Sequence, residues 1–184
     1  MIAGWAIVGV LAFLVRAVWS LVPHVVGAWR DAGLGIHHHI LAGIWIVLML
    51  YSEGYKGFQK AFSPRVVARA VHLARQPHWL YVIIAPAYAM GLVGARTRRM
   101  IVSWSVVAAI VAAVLLVRHL HQPWRGVVDS GVVAGLAWGT LSLVIIAGRA
   151  ACGRVPEVSL DLPETPPPPM GSLVGESPNP PGSP

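Results

Sequence analysis

Gln76-Pro-His-Trp-Leu-Tyr-Val-Ile-Ile-Ala-Pro-Ala-Tyr-Ala-Met-Gly-Leu-Val-Gly-Ala95 holds no Asp, Glu, Lys or Arg, yet has a proline, Pro86, near its middle. The topology turns on whether this stretch crosses a membrane or turns back. Outward from it lie four more uncharged stretches, 1–15, 32–52, 100–117 and 130–148, of 15, 21, 18 and 19 residues. A hydrocarbon core about 30 Å thick takes roughly 20 apolar residues in a helix. The five runs crowd into the first 150 positions and leave no room for a water-soluble domain. The expected class is an all-α polytopic membrane protein with five hydrophobic helices, the third able to re-enter.

Composition agrees, with 56% hydrophobic and 11% charged residues. A soluble domain carries about 25% charged residues because its surface faces water. The net charge of +7 is unevenly spread. Residues 1–150 carry +10 and the remainder −3. The cations sit in short connections between apolar runs, which suits anionic headgroups and argues against nucleic acid. Cys152 is the one cysteine, so no intrachain disulfide forms. The N-terminus lacks the basic region of a secretory leader, so the first run is expected to stay as a helix.

Helices are expected at about 2–22, 36–58, 78–95, 100–118 and 126–148, all within a domain spanning 1–150. Pro23 should end the first, since proline lacks an amide donor. Ser63-Pro64 reads as an N-cap and first helical residue. The following Arg65-Val-Val-Ala-Arg-Ala-Val-His72 places Arg65, Arg69 and His72 on one face. A short amphipathic helix over 64–75, lying in the interface, is expected. From 151 the chain turns Pro-rich, with ten prolines in its last thirty residues, and the tail 151–184 should be disordered.

Five spans with the N-terminus inside put seven cations on the inner side and six outside, which is no bias. If 79–95 enters and leaves on one side, the division becomes ten to three. Charge favours re-entry, and an uncharged run of this length favours a plain span. The sequence leaves both open.

Gly131, Gly135 and Gly139 form two GxxxG steps on one helix face. Ala87, Gly91 and Ala95, and Ser105, Ala109 and Ala113, repeat the pattern elsewhere. Such ridges let helix backbones approach closely in lipid. Ionisable groups at membrane depth cost about 2.5–3.5 kcal/mol each on insertion scales. Arg16, Glu53 and Asp129 are such groups. With five spans, Glu53 and Asp129 share a side with Lys56, His72, His78, His119, His121 and Arg125. Tyr51, Tyr55, Lys56 and Arg125 complete the candidate set for ion or proton handling, or for an ion-pair network fixing helix ends. Arg65, Arg69, Arg96, Arg98 and Arg99 are the candidate headgroup contacts. Consecutive His37-His-His39 point around a helix and cannot converge on a metal by themselves. No phosphate loop, serine elbow or metal-ligand motif is present, so no cofactor, metal or catalytic residue is expected.

Tyr51-Ser-Glu-Gly-Tyr-Lys-Gly-Phe-Gln59, Phe62-Ser-Pro-Arg-Val-Val-Ala-Arg-Ala70 and Gln122-Pro-Trp-Arg-Gly-Val-Val-Asp-Ser-Gly-Val-Val133 resemble blocks in a group of small uncharacterised bacterial inner-membrane proteins. The resemblance covers roughly 40–148 and implies a multi-pass inner-membrane location, with no activity attached. The expected role is structural or accessory, without enzymatic activity. Association is expected through small-residue faces, with a second copy or a membrane-protein partner, in contact with membrane lipids. The alternative is a small ion-coupled carrier using Glu53 and Asp129.

Overall fold

Pro23 does not end the first helix. In the computed structural model, which describes residues 1–31, 34–76 and 78–162, helix α1 runs unbroken over Ile2–Asp31. Proline removes one backbone bond, and the turns beyond it pack on the last long helix, with Ala28 against Gly126 and His24 beside Arg125. Among the described residues every regular element is helical.

Helix α2 (Ile36–Met49) passes without a loop into a π-helical segment, Leu50–Phe62, and then into α3 (Ser63–Arg75). The expected break between 58 and 64 is absent, and Ser63 is helical (φ −61°, ψ −42°) and caps nothing. Pro64 supplies a physical reason. Its ring crowds the carbonyl of residue 60, four positions back. Hydrogen bonds of the i→i+5 type widen the preceding turns and relieve that crowding.

α3 is not a surface helix. Ser63, Val66, Val67, Ala68, Arg69, Ala70 and Leu73 are all buried. The stretch expected as one helix over 78–95 is two five-residue helices, α4 (Trp79–Ile83) and α5 (Ala85–Ala89). They break at Ile84, just before Pro86, and a turn follows in which Gly91 and Gly94 have φ of +76° and +63°. Only glycine adopts those values without strain. Helix α6 (Thr97–Val117) and helix α7 (Trp124–Ala151) complete the set. Three helical stretches are long and apolar enough to cross a membrane, Ile2–Arg30, Thr97–Val117 and Trp124–Ala151.

α7 is the central helix. α1 lies antiparallel to it, with Ala28 against Gly126 and His24 beside Arg125 at one end. At the other end, Ala6, Val10 and Leu14 share a buried core with Leu143. α2 and the π segment run parallel to α7, since Trp45, Glu53 and Phe58 meet Gly131, Gly135 and Gly139 in turn. α3 and α5 fill the end where α1 begins, adding Val66, Val67, Ala70, Leu73, Ala85, Tyr88 and Ala89 to that core. Gly9 of α1 admits Pro86 directly against its backbone.

α6 stands apart. Its first turns are tied to the 90–94 turn by Ser103 Oγ–Met90 O (3.5 Å) and Trp104 Nε1–Leu92 O (3.2 Å). Ser103 is its one buried residue. After α7 the chain doubles back, and Arg96 N donates to Asp161 O at 2.7 Å while Leu162 packs on the core. Residues 152–162 therefore follow a defined course, and the rest of the expected disordered tail lies outside the described residues.

Candidate functional site

Three glycines on α7 make a seam for α2 and the π segment. A methyl group on Gly131 would overlap the Trp45 ring, and one on Gly139 would overlap Phe58. At Gly135 it would stand 3.4 Å from Glu53 Cβ and 3.5 Å from Met49 O. Trp45 Nε1 donates to Val128 O (3.1 Å), and Trp138 Nε1 to Gln59 Oε1 (2.9 Å), pinning the register at two levels. The GxxxG face expected to join another molecule is occupied within the chain. Ala87, Gly91 and Ala95 share no helix face, because the backbone breaks between them. Ser105, Ala109 and Ala113 lie exposed on α6.

A buried polar cluster sits where α1 ends and α7 begins. Arg125 Nη2 is 2.8 Å from His24 Nε2, and Arg125 Nε is 3.8 Å from Asp129 Oδ2. An arginine nitrogen can only donate, so His24 Nε2 is the acceptor. Asp129 is 3% exposed, and its Oδ2 has no hydrogen-bond partner. Ser130 Oγ accepts from Trp29 Nε1 (3.0 Å) and donates to Gly126 O (2.6 Å). The arrangement sets a partly exposed cation beside a buried anion and fastens α1 to α7. Removing Arg125 would leave the buried Asp129 carboxylate without its cation.

Glu53 is elsewhere. It is exposed on the π segment and faces Gly135, six residues beyond Asp129. That separation is roughly 9 Å along α7 and about 120° around it. The two acids do not form one constellation, and His119 and His121 lie in the α6–α7 connection whereas His72 lies on α3. No group of three or more His, Cys, Asp or Glu side chains among the described residues is placed to hold a metal ion. His37 and His38 have ring centroids 3.9 Å apart, His38 packs on Trp124 (4.9 Å) and His39 on Trp29 (5.2 Å).

A second polar centre surrounds Arg69, expected at the membrane surface and found 3% exposed. Its Nε donates to Tyr88 O (2.8 Å) and its Nη1 to Leu160 O (2.6 Å). Nη2 donates to Val93 O (3.1 Å) and Gly94 O (3.0 Å). The guanidinium lies 4.3 Å over the Tyr88 ring. Burial lowers the pKa of Arg69. Arginine's intrinsic pKa is so high that the group stays charged. Arg69 thus fastens the 88–94 turn and the returning segment around Leu160 onto α3. Arg65 is half-buried, Arg96 exposed, and Arg98 and Arg99 lie in the first turn of α6.

His24, Ser130 and Trp29 were not among the expected site residues. Ending the first helix at Pro23 hid His24, although its position one residue later in an apolar run was a visible signal. Arg69 was assigned to the wrong face. Val66, Arg69, Ala70 and Leu73 also recur at i, i+3, i+4 and i+7, and that is the stripe that buries.

On the exposed side of the π segment, Tyr51 and Tyr55 stack with centroids 6.0 Å apart. Lys56 Nζ sits 4.8 Å over Tyr51 and Lys60 Nζ 4.6 Å over Tyr55.

These features define a helical protein with apolar helices of membrane-crossing length and two polar centres, around Asp129 and around Arg69. Comparison with known protein families, curated proteins and solved structures finds no match to this chain.

Proposed function

We propose that the chain is a four-crossing protein of a bacterial inner membrane that serves as a structural or accessory subunit, docking through α6. In this reading α1, α2 with its π segment, α6 and α7 cross, and 79–95 enters and leaves on the side of the N-terminus. Support comes from the ends of the helices. α6 starts beside the 90–94 turn, next to the core at the beginning of α1, and α7 starts beside the end of α1. The cations then divide ten to three in favour of the N-terminal side, which makes that side cytoplasmic.

The observation that carries the docking role is α6 itself. Twenty-one residues long, it has Ile101, Val106, Ile110, Val111, Leu115 and Leu116 all more than half exposed, with no other helix along its length among the described residues. Ser105, Ala109 and Ala113 give it a small-residue face on which another transmembrane helix can approach closely. The glycine ridge of α7 is already filled, so α6 takes over the association first assigned to that ridge. We assign the chain no catalytic role. The competing carrier reading needs Glu53 and Asp129 to act together, and their separation takes away its motive.

The test is Ala109→Leu. In mild detergent the unaltered protein should run as a complex larger than one chain, and the variant should shift to monomer size with unchanged melting temperature. A variant that keeps the larger size would refute docking through this face.

A further inference from the structure

The π segment carries an exposed stripe that the bundle does not use. Its inner side is fixed: Gly54 packs on Trp138, Phe58 on Gly139, and Gln59 accepts from Trp138. The segment cannot roll to bury its other side. On that side Lys56 lies over Tyr51 and Lys60 over Tyr55, each pair five residues apart. In an α-helix such residues point about 140° apart. The i→i+5 turns of a π-helix bring them into line, so the local backbone is what assembles this ladder.

We propose that Tyr51, Tyr55, Lys56 and Lys60 bind the headgroup of an anionic phospholipid, with its acyl chains along Ile44, Val47 and Leu48. The stripe is continuous, because 44, 47, 48 and 51 fall on one α-helical face. Ile44, Val47 and Leu48 are 60%, 67% and 50% exposed, and Tyr51 is 56% exposed. An apolar track thus leads to two phenols and then to two ammonium groups, the order in which a phospholipid presents chains, glycerol and phosphate. Each ammonium has one side against an aromatic face and keeps N–H donors for phosphate oxygens. Neither lysine forms an ion pair among the described residues. Glu53, the one acid of the segment, sits beside Gly57. A zwitterionic headgroup would bring its own cation against the lysines, so the charge selects an anionic lipid. The site is separate from the α6 face and stands or falls without it.

The protein is reconstituted in phosphatidylcholine bilayers with trace spin-labelled phosphatidylglycerol or spin-labelled phosphatidylcholine. The motionally restricted fraction of each label measures preference. The unaltered protein should prefer phosphatidylglycerol, and replacing Lys56→Gln and Lys60→Gln together should cut that preference about fivefold per lysine. Lys56→Arg with Lys60→Arg should retain it. A Gln pair with undiminished preference, or an Arg pair that falls as far as the Gln pair, overturns the proposal. On the unaltered protein, phosphatidylglycerol with a photoactivatable headgroup should label the 50–62 segment, and labelling confined to other segments overturns it independently of any variant. Inorganic phosphate at constant ionic strength should not displace the lipid, and displacement would mark the site as one for free phosphate.

Discussion

Replacing Arg69 by Lys keeps the charge and removes the fork. Arg69 reaches four carbonyls from three nitrogens held in one plane, at 2.6–3.1 Å. A lysine has a single nitrogen, and acceptors spread around a planar group do not converge on one point. At least two of the four bonds are lost. A hydrogen bond to a charged group contributes about 1.5–3 kcal/mol, so the local loss is about 3 kcal/mol at the low end. That is a large part of a domain's total stability of roughly 5–15 kcal/mol, yet it need not unfold the bundle. Hydrogen exchange in detergent micelles reads it directly. The amides of Gly91, Leu92 and Arg96 are bonded to Tyr88 O, Ala87 O and Asp161 O. Their protection should fall about a hundredfold, since each factor of ten is about 1.4 kcal/mol. Amides in the middle of α7 should keep theirs. Unchanged protection at 91, 92 and 96 would refute the clamp, and a uniform loss everywhere would mean that Arg69 supports the whole fold without any special hold on the turn.

Gly135→Leu should lower the melting temperature, because its side chain would press on Glu53 and Met49; overpacking costs about 1–3 kcal/mol. The size of any complex should not change, and a smaller complex with unaltered melting would place the glycine ridge against a partner. In a Cys152→Ser background, Thr97→Cys should react with a membrane-impermeant maleimide from the cytoplasmic side and His119→Cys from the opposite side. Labelling of both from one side would refute the four-crossing arrangement.

The all-helical architecture was legible because long uncharged apolar runs suit helices, and three of the helices are long and apolar enough to cross a membrane. Pro86 signalled the weakness of the third run, and the structure breaks it at Ile84. The glycines at 131, 135 and 139 marked a close approach between helices. Their spacing could not say whose helix approaches, since that depends on a neighbour some eighty residues away in the chain. Arg69 was misplaced because two overlapping helical stripes run through 65–73. The choice between them is made by α5 and the 88–94 turn, which carry the carbonyls that satisfy a buried guanidinium. The π segment was unreadable for a different reason. Its Tyr–Lys pairs recur at a spacing that an α-helical reading scatters around the helix.

The four acceptors of Arg69 lie 19, 24, 25 and 91 residues along the chain. Three of them leave the ribosome soon after the arginine does, whereas the fourth, Leu160, follows the last long helix. Nη1 therefore has its acceptor only once the chain has passed through α6 and α7 and returned. The fourth bond ties the segment after α7 to a helix laid down some ninety residues earlier, so this end of the molecule closes a long loop of chain. A chain lacking residue 160 would hold the turn through Tyr88, Val93 and Gly94 alone.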